Sequence, residues 1–119
     1  MANIDQLDQQ LNQMILQGKI LEAFDRFYAE DVVMEEDDKR REGKEANREY
    51  EEQFVDALQE FHAADIKARA VDQENQTTFS EWFNHMTLEG VGEVKQHQVA
   101  VRTWNDEGQI THEKFYKIG

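Results

Sequence analysis

The sequence of 119 residues contains no cysteine and no proline, and only six of its residues are glycine. Without cysteine, disulfide bonds and thiolate chemistry are excluded. Without proline, turns have to be built from Gly, Asn and Asp. Long apolar runs are also missing, so no transmembrane span is predicted. The first residues lack the basic flank and apolar segment of a secretory signal, and we therefore expect a cytoplasmic protein.

Basic residues are scarce, with 13 Lys and Arg against 26 Asp and Glu, which gives a formal net charge of −13. A field of that sign repels phosphate backbones and anionic lipid, so neither nucleic acid nor a membrane is expected as a partner. The two Trp, three Tyr and seven Phe argue against disorder. The length fits one domain over residues 1–119 with a single core.

The spacing of apolar residues changes near residue 61 from a helical period to a period of two. The first half predicts a helix that ends at Gly18, a second helix at 20–27, a strand at 31–38, a loop at 39–43 and a third helix at 44–60. The second half predicts strands at 62–72, 77–89, 93–104 and 109–118. Helices followed by a run of strands predict the α+β class, with an antiparallel meander that curls around the third helix into a cone with an internal cavity.

Four segments resemble the SnoaL-like polyketide cyclases of the nuclear-transport-factor-two-like superfamily, which also includes ketosteroid isomerases and limonene epoxide hydrolases. They are Phe27–Asp38, Gly43–Ala46, Ser80–Trp82, and Asp106–Ile110 with Tyr116 after it. Their order and spacing carry the resemblance, which covers nearly the whole chain. The resemblance implies a cystatin-like α+β barrel, a cone-shaped mixed or antiparallel sheet wrapped around helices. It leaves the activity open, because this fold hosts many functions.

Glu36 is the first candidate for catalysis. Strand alternation places it on one face with Val32 and Met34. The resemblance implies that Glu36 occupies the position of the general base in ketosteroid isomerases. An apolar wall would favour the protonated carboxyl and suit it to proton abstraction. The alternative is a solvated strand end, because residues 35–38 are four consecutive acids.

Asn84 and His97 are the two candidates for assisting residues. Asn84 shares a strand face with Trp82 and Met86 and could orient a carbonyl or a water, or its amide could be bonded to backbone while Trp82 fills the core. His97 and Glu113 are expected on the inner faces of adjacent strands as an acid–base dyad, with a pair on the strand surface as the alternative.

Two residues depart from the better-characterised relatives. Phe115 stands where limonene epoxide hydrolases have a catalytic aspartate. Leu11 falls near the position of the tyrosine that stabilises the enolate in ketosteroid isomerases. Neither mechanism therefore transfers intact to this chain.

These observations predict a small apolar molecule as the ligand. The predicted cavity lining is Met34, Glu36, Tyr50, Phe54, Trp82, Asn84, Met86, Val99, Val101 and Phe115. The first hypothesis is a cofactor-free isomerase, cyclase or dehydratase that acts on a small carbonyl compound, with Glu36 as base and Asn84 or His97 assisting. The alternatives are a non-catalytic binding module and a dimeric interaction module. No metal site is expected, because the four histidines lack metal-ligand spacing.

A homodimer is also expected. Strand alternation places Phe83, Trp104 and Tyr116 together on the convex face of the sheet, where an exposed aromatic cluster favours a partner. Related proteins commonly dimerise through this face, so the resemblance implies the same interface here.

Overall fold

A computed structural model of the chain describes residues 2–118. In this range the chain forms three helices and six strands. They are α1 (Ile4–Leu16), α2 (Ile20–Phe27), β1 (Tyr28–Glu36), β2 (Lys39–Glu42), α3 (Lys44–Ala57), β3 (Leu58–Asp72), β4 (Thr77–Leu88), β5 (Gly92–Trp104) and β6 (Ile110–Lys117). The predicted α+β class is confirmed. No helix within the described range is long and apolar enough to cross a membrane.

The six strands form one mixed sheet in the order β2-β1-β6-β5-β4-β3. Strands β3 to β6 pair antiparallel in sequence order, which is the predicted meander, and β1 pairs parallel to β6. Helix α3 contacts β1 and β2 near one edge of the sheet and also β3 at the other edge. Because side chains from all three helices and from β1, β3, β4, β5 and β6 line one common cavity, the sheet curves around it. The sheet remains open, because β2 and β3 do not pair with each other.

Several predicted boundaries were wrong, since β1 begins at Tyr28 rather than at residue 31, and two further differences have clear causes. The loop expected at 39–43 contains β2, which pairs with β1 after a tight turn at Asp37, whose φ is 55°. An edge strand made of Lys39-Arg-Arg-Glu42 has no apolar face, so hydrophobic patterning cannot reveal it. Helix α3 ends at Ala57 rather than near residue 60, because Leu58 adopts extended backbone and begins β3 at once.

The main core lies where α1 and α2 pack against β1 and the ends of β5 and β6. Its largest buried side chains include Trp104 and Phe27, whose rings meet edge to face with centroids 6.3 Å apart. The ring nitrogen of Trp104 donates to Thr78 Oγ1 at 2.9 Å. Trp104 is 2% exposed, so it does not belong to the convex aromatic cluster expected from the sequence. Trp104 alternates in phase with Gln98, Ala100 and Arg102, which are also buried, so it lies on the inner face of β5 with them.

Candidate functional site

A cavity of about 240 Å³ lies between the three helices and the concave face of the sheet. Its apolar lining is Leu11, Ile15, Ile20, Ala23, Phe24, Phe54, Phe61, Trp82, Met86, Leu88 and Phe115. Its polar lining is Tyr28, Glu36, Tyr50, Glu51, Asn84, Gln96, Gln98, Arg102 and Glu113. The walls are therefore rich in aromatic rings but also carry three carboxyl groups.

Most residues predicted to line a cavity do line it. These are Glu36, Tyr50, Phe54, Trp82, Asn84, Met86 and Phe115. Met34 is buried in the core beside the cavity rather than in its wall. The roles assigned to these residues, as base, assisting group or ligand contact, remain predictions.

Three predicted residues, all on β5, lie on the opposite face of the sheet. Residues Gln98, Ala100, Arg102 and Trp104 are buried, and they alternate with the half-buried His97, Val99 and Val101. His97 bonds Glu81 on the outer surface, with 2.6 Å between Nε2 and Oε2, so it forms no dyad with Glu113. The inner face of β5 is the more polar one because it contributes to a buried ionic network. The usual assumption that valines point inward therefore exchanges the inner and outer faces of this strand.

That ionic network surrounds Arg102, which is 2% exposed. Its Nε donates to Glu113 Oε2 at 2.7 Å, and its Nη1 donates to Asp8 Oδ1 at 2.8 Å and to Asn12 Oδ1 at 2.6 Å. Burial disfavours the guanidinium charge, but Glu113 and Asp8 outweigh that effect and raise the pKa of Arg102. Every charge in the network has a partner of opposite sign.

Tyr28 completes the network on the cavity side. Its hydroxyl donates to Glu113 Oε2 at 2.7 Å. Burial, and then the negative charge of Glu113, raise the pKa of Tyr28 well above its ordinary value. The phenol therefore stays protonated and serves as a fixed hydrogen-bond donor.

Glu51 is the functional candidate that sequence reasoning missed. On α3 it lies four residues after the buried Asn47 and three before Phe54, so it shares their inner face. Its half-buried side chain exposes its remaining surface to the cavity. Burial, and then the charge of Glu113, raise the pKa of Glu51 to about 7, against an opposing effect of Arg41. The i, i+3, i+4 spacing could have revealed it, but the charged residues around it on α3 favoured a solvated face.

Tyr50 lies beside Glu51 and is held in place by a cation. The guanidinium carbon of Arg41 stacks on the Tyr50 ring, 3.6 Å from its centroid. Arg41 Nε also donates to Asn47 Oδ1 at 3.3 Å, which ties β2 to α3. Arg41 is thus positioned between ring and amide rather than in an ion pair with a cavity carboxylate.

Several polar groups that line the cavity are not engaged by the rest of the described chain, and the two carboxyl groups and Asn84 are among them. Within the described residues, the side chains of Glu36, Glu51 and Asn84 make no hydrogen bond or ion pair. By contrast, the ring nitrogen of Trp82 donates to Ser80 Oγ at 2.8 Å. A ligand in the cavity would therefore meet two carboxyl groups, the hydroxyl of Tyr50 and the amides of Asn84, Gln96 and Gln98, none of which has a hydrogen-bond partner in the described part of the chain. No group of three His, Asp or Glu side chains in residues 2–118 is arranged to hold a metal ion.

Comparison with known proteins agrees with this architecture. A Mesorhizobium loti protein provisionally named a SnoaL-like polyketide cyclase has a TM-score of 0.83 at 22% identity, covering 97% of this chain and 99% of that chain. The epoxide hydrolase/cyclase-like enzyme of pyran ring formation in salinomycin has a TM-score of 0.78 at 21% identity, covering 97% and 90%. A Mycobacterium tuberculosis protein in complex with estradiol-17β-hemisuccinate has a TM-score of 0.76 at 18% identity, covering 94% and 91%.

At these identities the likeness shows the fold alone. None of the curated proteins matches the sequence. The family model of the SnoaL-like domain matches residues 9–113, in agreement with the resemblance carried by the four sequence segments. Because that match spans most of the sequence, this chain belongs to the SnoaL-like domain family.

Proposed function

We propose that the cavity is the active site of a cofactor-free enzyme, an isomerase, cyclase or dehydratase, that moves a proton on a small carbonyl compound. The observation that carries the proposal is Glu51, a carboxyl free of protein partners in an aromatic cavity, with its pKa raised to about 7. A general base works best when its pKa lies near the operating pH, because it is then both partly ionised and a good proton acceptor.

The same geometry suggests how the reaction would run. The ionised Glu51 takes a proton from the carbon next to the substrate carbonyl, and the electron pair of that C–H bond becomes the C=C bond of an enolate. Asn84 donates its amide N–H to the enolate oxygen, where the negative charge develops. If the substrate carries a C=C bond beside that carbon, the enolate is a dienolate, and the neutral Glu51 returns the proton to its far (γ) carbon as the C=O bond re-forms, which regenerates the base and gives the conjugated isomer.

Glu36, the base expected from the sequence, takes the second role in this proposal. It lines the cavity, and its charge contributes to the raised pKa of Glu51. Two carboxyl groups in different surroundings are a recurrent arrangement for dividing acid and base duties. Glu51 is the better candidate for the base. Burial is the largest of the effects that raise its pKa, and the resulting pKa lies near neutrality.

Proton exchange tests the proposal without knowledge of the natural substrate. The protein is incubated in D₂O with a small aryl ketone such as 2-tetralone, and loss of the α-proton signals is followed by ¹H NMR. We expect exchange above the buffer rate, with a loss of about 100-fold or more in Glu51→Gln. Glu49→Gln is the matched control, because Glu49 is an exposed acid on the same helix.

Ketone binding, measured by calorimetry, separates catalysis from the alternative of a non-catalytic binding module. If Glu51→Gln binds the ketone but no longer exchanges its protons, Glu51 is the base. If wild-type protein binds the ketone and exchange stays at the buffer rate, the module only binds. Wild-type exchange rates in Glu51→Gln would contradict the assignment of the base.

We also propose that two copies associate through the outer face of the sheet. Phe83 and Tyr116 are 38% and 49% exposed there, which supports an interface without Trp104. Sedimentation should give a dimer in the wild type and a monomer in Phe83→Glu at tens of micromolar protein. A wild-type monomer at that concentration would contradict this proposal.

A further inference from the structure

The charges of the cavity do not balance. Arg102, the one cation in the cavity wall, is already bound to Asp8 and Glu113. Among the described residues, Glu36 and Glu51 have no cation within ion-pair distance. Burying a carboxylate without a partner is costly, so an enclosed acid either takes up a proton or acquires a positive ligand.

The rest of the wall suits an organic cation better than a metal ion. The two carboxyl groups share the cavity wall with seven aromatic side chains: Phe24, Tyr28, Tyr50, Phe54, Phe61, Trp82 and Phe115. Aromatic faces attract ammonium groups and also pack against an apolar skeleton, whereas a metal ion would need several oxygen or nitrogen ligands in one place. The carboxylates would supply the charge-assisted hydrogen bonds of a protonated amine.

We propose that the natural ligand of this cavity is an apolar carbonyl compound that also carries an amine, bound as its ammonium cation, with Glu51 and Glu36 as counter-ions. This inference deepens the proposed function by naming the substrate class, and it rests on the same cavity being the working site. It also means that carboxylate ligands are excluded, because they would meet two uncompensated acids and no free cation.

The proposal makes the proton and the amine competitors for Glu51. Glu113 on β6, Arg41 on β2 and Glu36 on β1 act on the pKa of this carboxyl. The charge of Glu51 acts in turn on Tyr28 of β1 and Tyr50 of α3, and Arg102 of β5 lies in the same cavity wall. The three elements α1, α2 and β3 contribute only apolar side chains to the cavity wall. Amine binding should therefore strengthen as pH rises through the pKa of Glu51, which is about 7.

A matched set of three probes tests the charge preference: 4-phenylbutylamine, 4-phenylbutan-1-ol and 4-phenylbutanoate. They carry similar apolar skeletons and differ in the charge of the head group. By titration calorimetry at pH 8 we expect the amine to bind about tenfold more tightly than the alcohol, and the carboxylate to bind most weakly. Glu51→Gln and Glu36→Gln should each reduce the amine preference, while Glu49→Gln should leave it unchanged.

Proton release is the sharper measurement. The probe amine stays charged at both pH 6 and pH 8, because alkylamines titrate near 10. At pH 6 Glu51 is largely protonated, so binding should release about one proton per amine, and at pH 8 close to none. Calorimetry in two buffers of different protonation enthalpy measures this number. In Glu51→Gln the release at pH 6 should disappear.

An amine that binds no better than the alcohol at pH 8, or that binds at pH 6 without proton release, would overturn the proposal. Tighter binding of 4-phenylbutanoate would overturn it as well. These are equilibrium measurements, whereas the proposed function is tested by proton exchange on a neutral ketone. Ketone exchange without amine preference would therefore reject only the ligand class, and amine binding without exchange would reject only the catalysis.

Discussion

Two sets of buried charges lie next to each other in this protein and differ in how they are satisfied. Around Arg102, each acid meets a donor: Asp8 and Glu113 pair with the guanidinium, and Tyr28 donates to Glu113. Around Glu51, in the same cavity wall, the carboxyl has no partner within the described residues. In the first set every charge has a partner, so this set serves to stabilise the fold. The second is incomplete and is where a ligand or a proton can act.

The largest effect should come from breaking the complete set. Arg102→Met leaves Asp8 and Glu113 buried without their cation, and we expect the free energy of unfolding to fall by about 3 to 5 kcal/mol. Urea unfolding at pH 7 measures this loss. Arg40→Met is the control, because Arg40 is an exposed arginine that pairs with acids only at the surface. A loss below about 1 kcal/mol in Arg102→Met would mean that the network contributes little to stability.

Removing the unpaired carboxyl of Glu51 should instead raise the free energy of unfolding. The native protein holds the proton on Glu51 up to about pH 7, whereas the unfolded chain releases it near the ordinary carboxyl pKa of 4.5. The native state therefore binds more protons between these values, and Glu51 makes stability fall as pH rises through that window. We expect Glu51→Gln to stabilise the fold by about 2 kcal/mol at pH 8 and by little at pH 4.

Urea unfolding of Glu51→Gln and of the exposed control Glu49→Gln at both pH values checks this prediction. The difference between the two variants cancels the titration of the other acids. Equal stability of the two variants at pH 8 would mean that Glu51 is solvated rather than enclosed. That outcome would also remove the main support for its role as a base.

Removing one hydrogen bond from the network around Arg102 should cause a smaller loss of stability. Tyr28→Phe removes the donor to Glu113 and keeps the ring, so we expect a loss of about 1.5 kcal/mol in the free energy of unfolding. Tyr50→Phe is the matched comparison, because the Tyr50 ring stacks on Arg41 and its hydroxyl has no partner in residues 2–118. If both variants lose the same stability, the hydrogen bond from Tyr28 to Glu113 contributes no more than an unpaired hydroxyl does.

The smallest effect on stability should come from replacing His97 on the outer face of the sheet. His97 pairs with Glu81 at the surface, and exposed pairs contribute little. We expect His97→Gln to change the free energy of unfolding by less than about 0.5 kcal/mol and to leave ketone exchange unchanged. A large loss of exchange in His97→Gln would restore the dyad that sequence alternation suggested. It would also contradict the outward orientation of this side chain.

The contrast between β4 and β5 explains how far sequence reasoning reached. On β4 the inward face carries Trp82 and Met86, so alternation assigned it correctly. On β5 the inward face carries Gln98 and Arg102, and the valines face out, so the same rule failed. Hydrophobic alternation records burial of apolar side chains, and it cannot foresee that an arginine is buried because acids from α1 and β6 surround it.

The candidate site shows the same division. Phe54 and Phe115 were predicted from local periodicity, because their positions depend on one helix or one strand. Glu51 was not, although it shares the helical spacing of Asn47 and Phe54, because its burial depends on the curved sheet closing over α3 and its raised pKa depends also on the charge of Glu113. Properties set by one element were predictable, whereas properties set by the meeting of distant elements were not.

The ionic network also has a consequence for the order of folding. Its members come from α1, β1, β5 and β6, and the bond from Arg102 to Asp8 spans 94 residues of sequence. Contacts between such distant segments form late, because each requires a long loop to close first. During synthesis, the network of Arg102 and Asp8 cannot be completed until Glu113 on the last strand has been made, and the cavity wall is incomplete until then. We therefore expect the cavity to form in the final step of folding, after the β3–β4–β5 meander has assembled.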